Sequence, residues 1–186
     1  MRYKNTKLGK INFFDLETIS KGMSLPFKND ADLIIPGIWL GNGKASMNDE
    51  FLKKNNITVV FNCTKDLPFH SSIKRRYRVP VDDNLQADEI RNLELWSYEI
   101  VYKIKKEHNK GRKILVHCYA GMQRSAASVA MYLIATNNMN SDEAITFLKD
   151  KRPIVFFPAP NFYDAILGFQ KSYETNILPV LMGSTE

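Results

Sequence analysis

Two short runs, Ile57-Thr58-Val59-Val60-Phe61-Asn62 and Lys113-Ile114-Leu115-Val116, are apolar at almost every position and rich in β-branched residues. Neither alternates, so each predicts a strand covered on both faces rather than half-exposed to water. The apolar spacing then changes to that of helices. Leu93, Trp96, Ile100 and Ile104 mark the buried stripe of a long helix over residues 87–107, with Asp88 and Glu89 favouring its N-terminal end. Residues 125–136 are helix formers without Gly or Pro, Ser141 can cap a helix running to Lys151, and Asn161 can cap a last one carrying Phe162, Ile166 and Phe169.

The remaining elements are smaller. Pro36-Gly37 predicts a turn before a strand over Ile38–Leu40, residues 47–55 a short helix, and residues 71–81 a strand crowded with Lys74, Arg75, Arg76 and Arg78. Pro153, Pro158 and Pro160 predict an irregular loop, and Pro179 the end of regular structure before a C-terminal tail over 176–186. Strands alternating with helices argue an α/β fold with a mostly parallel central sheet. Residues 1–32 read as an N-terminal extension. Phe13, Leu16, Ile19 and Met23 stand there at helical spacing, which predicts one amphipathic helix, docked on its own domain or forming a homodimer contact.

A chain of 186 residues fits one domain with a proper core, and 44% hydrophobic with 25% charged residues is a soluble composition. The net charge of +6 favours anionic partners such as phosphorylated segments, but it is too diffuse to indicate nucleic acid. Two cysteines, Cys63 and Cys118, make no disulfide framework, and no stretch approaches a membrane span or a signal peptide. The expectation is a cytoplasmic, intracellular protein with no membrane partner. No cluster has metal-ligand spacing and no Gly-Lys-Ser/Thr phosphate loop occurs, so neither a metal nor another cofactor is expected.

The chemistry concentrates in His117-Cys118-Tyr119-Ala120-Gly121-Met122-Gln123-Arg124-Ser125. A cysteine sits where a strand ends, and five residues later an arginine opens a helix. Loop N–H groups, a helix N-terminus and the guanidinium fork together make an anion site, and a thiol in that field should lose its proton easily. Gly121 lets the chain curl where a side chain would intrude.

These residues resemble the cysteine-dependent protein tyrosine phosphatase superfamily, whose mark is His-Cys, five residues, then Arg-Ser or Arg-Thr. The Ala120-Gly121 pair and the Arg124-Ser125-Ala126 ending are most similar to its dual-specificity branch. Residues 34–41 are similar to that branch's opening strand, with Trp39 in the aromatic place, and residues 62–68 to its Asn-Val-Thr-Pro-Asp-Leu-Pro turn, with Cys63 for Val. The resemblance implies a phosphatase domain over 33–175, with helices on both faces of the sheet. It also implies hydrolysis of phosphotyrosine and phosphoserine or phosphothreonine on a protein substrate through a phosphocysteine intermediate.

Cys118 would then be the nucleophile, Arg124 and the N–H groups of Tyr119, Ala120, Gly121, Met122, Gln123 and Arg124 the phosphate cradle, and Ser125 a hydrogen-bond donor to the sulfur. His117, by resemblance, tunes the thiolate, against the plainer reading of a packed histidine. The leaving oxygen needs an acid, for which the Asp82-Asp83 pair is the candidate, and the family pattern aligns Asp83 with it. Cys63, at a strand end, is either a buried structural cysteine or a partner for a reversible disulfide with Cys118. Competing activities are an RNA 5′-triphosphatase or a phosphoinositide phosphatase. Lipid-directed relatives carry lysines inside the loop, where this chain has Tyr119, Met122 and Gln123. A non-catalytic phosphate-binding module is the reading of another class, and keeping Cys118, Arg124, Ser125 and Asp83 together argues against it.

Overall fold

A computed structural model describes residues 29–183. The stripe of Phe13, Leu16, Ile19 and Met23, and with it the expected dimer contact, lies outside the described residues. Five strands form one sheet: β1 (Ala31–Ile35), β2 (Ile38–Gly41), β3 (Ile57–Asn62), β4 (Arg75–Arg78) and β5 (Lys113–His117), in the order β1-β2-β5-β3-β4. Gly37 takes φ +91° in the turn that makes β1 and β2 antiparallel, and every other neighbouring pair is parallel. The apolar run of β5 is central, and four of its five residues are buried, as a strand covered on both faces requires.

Seven helices complete the described residues: α1 (Gly43–Met47), α2 (Asp49–Lys54), α3 (Ala87–His108), α4 (Arg124–Asn137), α5 (Ser141–Lys151), α6 (Tyr163–Asn176) and α7 (Leu178–Gly183). One face of the sheet, carrying Ile38, Leu40, Val59, Phe61, Ile114 and Val116, packs beneath α3 to α6. The opposite face, with Val60 and Leu115, is covered by Leu52 of α2, by Ile73 and by the half-buried Trp39, Phe51 and Phe69. The sheet is thus mostly parallel with helices on both faces. Helix α4 is the hub. Its Ser-Ala-Ala-Ser start lets α3, α5 and α6 approach closely, and residues 124–134 are all buried.

Several boundaries differ from expectation. β1 draws Ala31 and Asp32 out of the expected extension, and Asp32 forms an ion pair with buried Arg152 (2.6 Å). The helix over 47–55 is two short helices hinged at Asn48, whose side chain accepts from the Phe51 N–H (3.0 Å). The strand over 71–81 shrinks to β4, because Arg76 and Arg78 turn back onto the carbonyls of Ile73, Thr64 and Leu67 and hold those segments as loops. The buried stripe of α3 runs through Leu93, Ser97, Ile100, Val101 and Ile104, leaving Trp96 on its flank.

Asn140, not Ser141, caps α5. It exchanges a reciprocal pair of bonds with Glu143, while the Ser141 hydroxyl is drawn to Gln170 (2.6 Å). Pro179 lies in the first turn of α7, where its missing N–H costs no helical bond. Asn161 makes no cap for α6, since it is turned toward Asp83.

Candidate active site

The parallel strands β2, β5 and β3 end together, with Gly41, His117 and Asn62 in register. The chain leaves β2 toward α2 over one face of the sheet and leaves β5 toward α4 over the other, so a crevice opens beyond the C-terminal end of β5, the usual ligand position in such sheets. Cys118 sits on its floor, 2% exposed, and the loop to Arg124 curls around it.

The scaffold turns that loop inside out. The Tyr119 carbonyl accepts from the Gly43 N–H (3.0 Å), that of Gly121 from the Arg152 guanidinium (3.0 Å), and that of Met122 from the Phe156 N–H (2.9 Å). A trans peptide points its N–H opposite to its C=O, so these three outward carbonyls drive the N–H groups of Ala120, Met122 and Gln123 inward. The first turn of α4 adds further donors. Gln123 at its N-cap gives it no side-chain bond, because the Gln123 amide is spent on the carbonyls of Phe157 (3.2 Å) and Ala159 (2.9 Å). The result is a ring of inward donors around a sulfur.

Gly121 permits the curl. Its φ is +66°, and a Cβ there would stand 2.5 Å from both the carbonyl carbon and oxygen of Gly41. Neither obstacle can move without unpairing β2. Gly121→Ala is expected to lower turnover by about 100-fold or more, because strain and a displaced donor act together. Circular dichroism should show the fold retained, and wild-type kinetics in a folded variant would contradict the tight packing of the loop on β2.

Two side chains complete the inner wall. The Ser125 hydroxyl donates to the Cys118 sulfur at 3.2 Å. Arg124, 6% exposed, donates through Nη1 to the Val81 carbonyl (3.0 Å), while its buried Nε has no hydrogen-bond partner among the described residues. An orphan donor on a buried cation is costly unless an anion completes it, and the inward N–H groups suit the same anion. Burial pushes the His117 imidazole down to about 4, the charges of Arg78 and Arg124 adding to that and a bond to the Cys118 carbonyl opposing it. Its Nδ1 lies 3.4 Å from that carbonyl, so His117 touches the backbone at the cysteine and not the sulfur.

The rim separates the two aspartates. Lys65 bridges Asp82 (2.8 Å) and Glu89 (2.6 Å), and the Asp82 N–H donates to Glu89 (2.9 Å), so Asp82 is tied down the outer side of the loop. Asp83 is exposed and accepts from the Asn161 side-chain amide (2.7 Å). Tyr119, also exposed, donates to Asp66 (2.7 Å) and lies with its ring centroid 5.8 Å from the Arg124 guanidinium. Cys63 lies behind the floor, fully buried, with its sulfur 3.5 Å from the Ser128 hydroxyl. Burial first, and the neighbouring Cys118, push its thiol up to about 12 against the opposing pull of that hydroxyl and of Arg124. Both cysteines are free.

Arg152, Asn161 and the Gln123 side chain are the parts that pattern reasoning missed. Each is a lone polar residue in or beside the proline-rich stretch or the motif, with no periodicity to mark it. Among the described residues no group of three or more His, Cys, Asp or Glu could hold a metal ion, and no helix is long and apolar enough to cross a membrane.

The chain is similar to known proteins in sequence and in fold. The family model described as "Dual specificity phosphatase, catalytic domain" matches residues 38–172. Human dual specificity protein phosphatase 1 is 32% identical over 146 residues, 78% of this chain and 37% of that protein. Human dual specificity protein phosphatase 8 is 32% identical over 152 residues, 81% of this chain and 23% of that one. The chain therefore spans well under half the length of these relatives. The crystal structure of human DUSP28 superposes with a TM-score of 0.71 at 22% identity, covering 81% of this chain and 99% of that one.

Proposed function

The chain belongs to the dual specificity phosphatase family, and from that premise we propose that it dephosphorylates proteins on tyrosine and on serine or threonine, using Cys118 as nucleophile. The observation that carries this reading is the buried Cys118 sulfur, held by the Ser125 hydroxyl at 3.2 Å inside a loop whose Tyr119, Gly121 and Met122 carbonyls are bonded outward to the scaffold.

The phosphoryl oxygens of the substrate rest on the inward N–H groups and on Arg124, which neutralise the charge of the transferring group. The thiolate of Cys118 attacks phosphorus in line with the leaving oxygen. As the S–P bond forms and the P–O bond breaks, Asp83 gives its proton to that oxygen. Water then attacks the phosphocysteine, its proton passes to the Asp83 carboxylate, and the S–P bond breaks with the pair returning to sulfur. The hydrogen bond from Ser125 stabilises that departing thiolate, and inorganic phosphate leaves. His117, neutral and aimed at the Cys118 carbonyl, serves by fixing the peptide at the nucleophile.

Of the two aspartates, Asp83 fits the proton donor because Asp82 is held by Lys65. Asp83→Asn should slow turnover of substrates with poor leaving groups by about 100-fold and activated aryl phosphates less, since the latter need little protonation. If Asp82→Asn shows that pattern and Asp83→Asn does not, the assignment is off by one residue. The test of the activity itself is hydrolysis in chelator of phosphotyrosyl and phosphoseryl peptides, beside triphosphate-ended RNA and inositol phospholipids. Preference for either of the last two would replace the protein-directed reading. Two free cysteines suit a reducing compartment, which supports placing the protein in the cytoplasm.

A further inference from the structure

We propose that Asn161 is a positioning residue for the proton donor, which rests on the reading of Asp83 just given. Asn161 lies 78 residues beyond Asp83, in the loop between α5 and α6, and its side-chain amide donates to Asp83 Oδ1 at 2.7 Å. The amide can face the carboxylate only through its NH₂ end, because its oxygen would repel it. Oδ1 is therefore occupied by a donor. When Asp83 is protonated, the proton is placed on Oδ2, and the bond to Asn161 selects which oxygen meets the leaving group.

The anchor of Asn161 is the cradle itself. Its backbone N–H donates to Gln123 Oε1 (2.9 Å), and the other end of that same amide holds the carbonyls of Phe157 and Ala159. Gln123 is buried, and all the partners of its amide lie in one loop. A residue of the phosphate loop thus fixes the height of the 157–161 segment, and Asn161 passes that height to Asp83. Asp83 sits on an exposed stretch with few constraints of its own, since residues 83–88 are all exposed. The other ties on this segment, Arg124 to the Val81 carbonyl and Lys65 and Glu89 to Asp82, fix the strand end and the neighbouring residue but not the Asp83 carboxylate. Acid and cradle are therefore held to each other by two side-chain amides, so the distance between proton and phosphorus does not depend on the loop settling by itself.

Asn161→Ala removes the side-chain bond and keeps the backbone bond to Gln123, so the loop stays anchored. The expected result is a fall in kcat of about tenfold on a phenyl phosphate type of substrate, the worth of one hydrogen bond to a charged group. KM should be unchanged, and so should the rate on an activated nitrophenyl-type ester. In an Asp83→Asn background the same substitution should have no further effect, because Asn161 acts through Asp83 alone. A loss that is equal on both esters, or that persists in the Asp83→Asn background, would overturn the proposal and make Asn161 a support of the loop. No loss on the poor leaving group overturns it as well. Should Asp83→Asn by itself show no leaving-group dependence, the assignment of the acid fails first and takes this proposal with it. That failure is separable, because it appears with Asn161 intact.

Discussion

Cys118→Ser is expected to reduce turnover by about a million-fold, the scale seen when a covalent catalyst loses its nucleophile, while leaving substrate binding intact. The change swaps one atom. A serine hydroxyl at this place keeps the size of the side chain and still meets the Ser125 hydroxyl that contacts the sulfur at 3.2 Å. It is, however, a neutral oxygen that must shed a tightly held proton before it can attack, and no histidine is placed to take it. His117 faces the Cys118 carbonyl instead. Binding should survive because the cradle is assembled from elsewhere. Its N–H groups are turned inward by Gly43, Arg152 and Phe156, and Arg124 is held by Val81. A serine hydroxyl brings no negative charge beside a phosphate dianion, so affinity for a phosphopeptide should not fall. Calorimetry on the variant and single-turnover kinetics on both proteins measure the two halves separately. Residual hydrolysis above roughly one percent of wild type would remove Cys118 from its role, since covalent catalysis without its nucleophile leaves far less. Lost binding with a folded chain would mean that the sulfur, not the backbone, holds the phosphate.

The retention of binding follows from contacts that run far along the chain, and those are the contacts that a sequence hides. β3, β5, α3 and α4 were legible because each repeats one pattern over five or more residues. Cys118, Gly121, Arg124 and Ser125 were legible because they stand together in one motif. β1 was missed as a strand, and Ala31 and Asp32 look like any polar lead-in until Arg152 reaches across 120 residues to Asp32. Adjacent Asn140 and Ser141 are both good caps, and only the Gln170 amide, supplied by α6, decides which one closes the helix. The candidate acid was placed at the Asp82-Asp83 pair, and then at Asp83, by the family resemblance. What separates the two physically is Lys65 on one side and Asn161 on the other.

Arg124→Lys is expected to lower kcat/KM by about 1000-fold or more, although it conserves the charge. If charge alone mattered, lysine would serve nearly as well. The geometry asks for more than charge. Nη1 is committed to the Val81 carbonyl at 3.0 Å, and the buried Nε points elsewhere with no partner among the described residues. One planar group therefore does two things at once, tying the segment that leads to Asp83 and presenting donors to an anion. A lysine ammonium is a single point that must choose. If it takes the phosphate, the buried Val81 carbonyl loses its donor and the acid loop loosens. If it stays with Val81, the transferring group loses its charged clamp. Lysine and arginine have nearly equal helix propensities, so α4 should start where it does now and the melting temperature should move little. The signature is a large fall in kcat with a smaller rise in KM, because the clamp matters most when charge builds on the equatorial oxygens. Near-normal kinetics in Arg124→Lys would show that a point charge suffices, and the assignment of the whole loop as a phosphoryl-transfer cradle would have to be withdrawn.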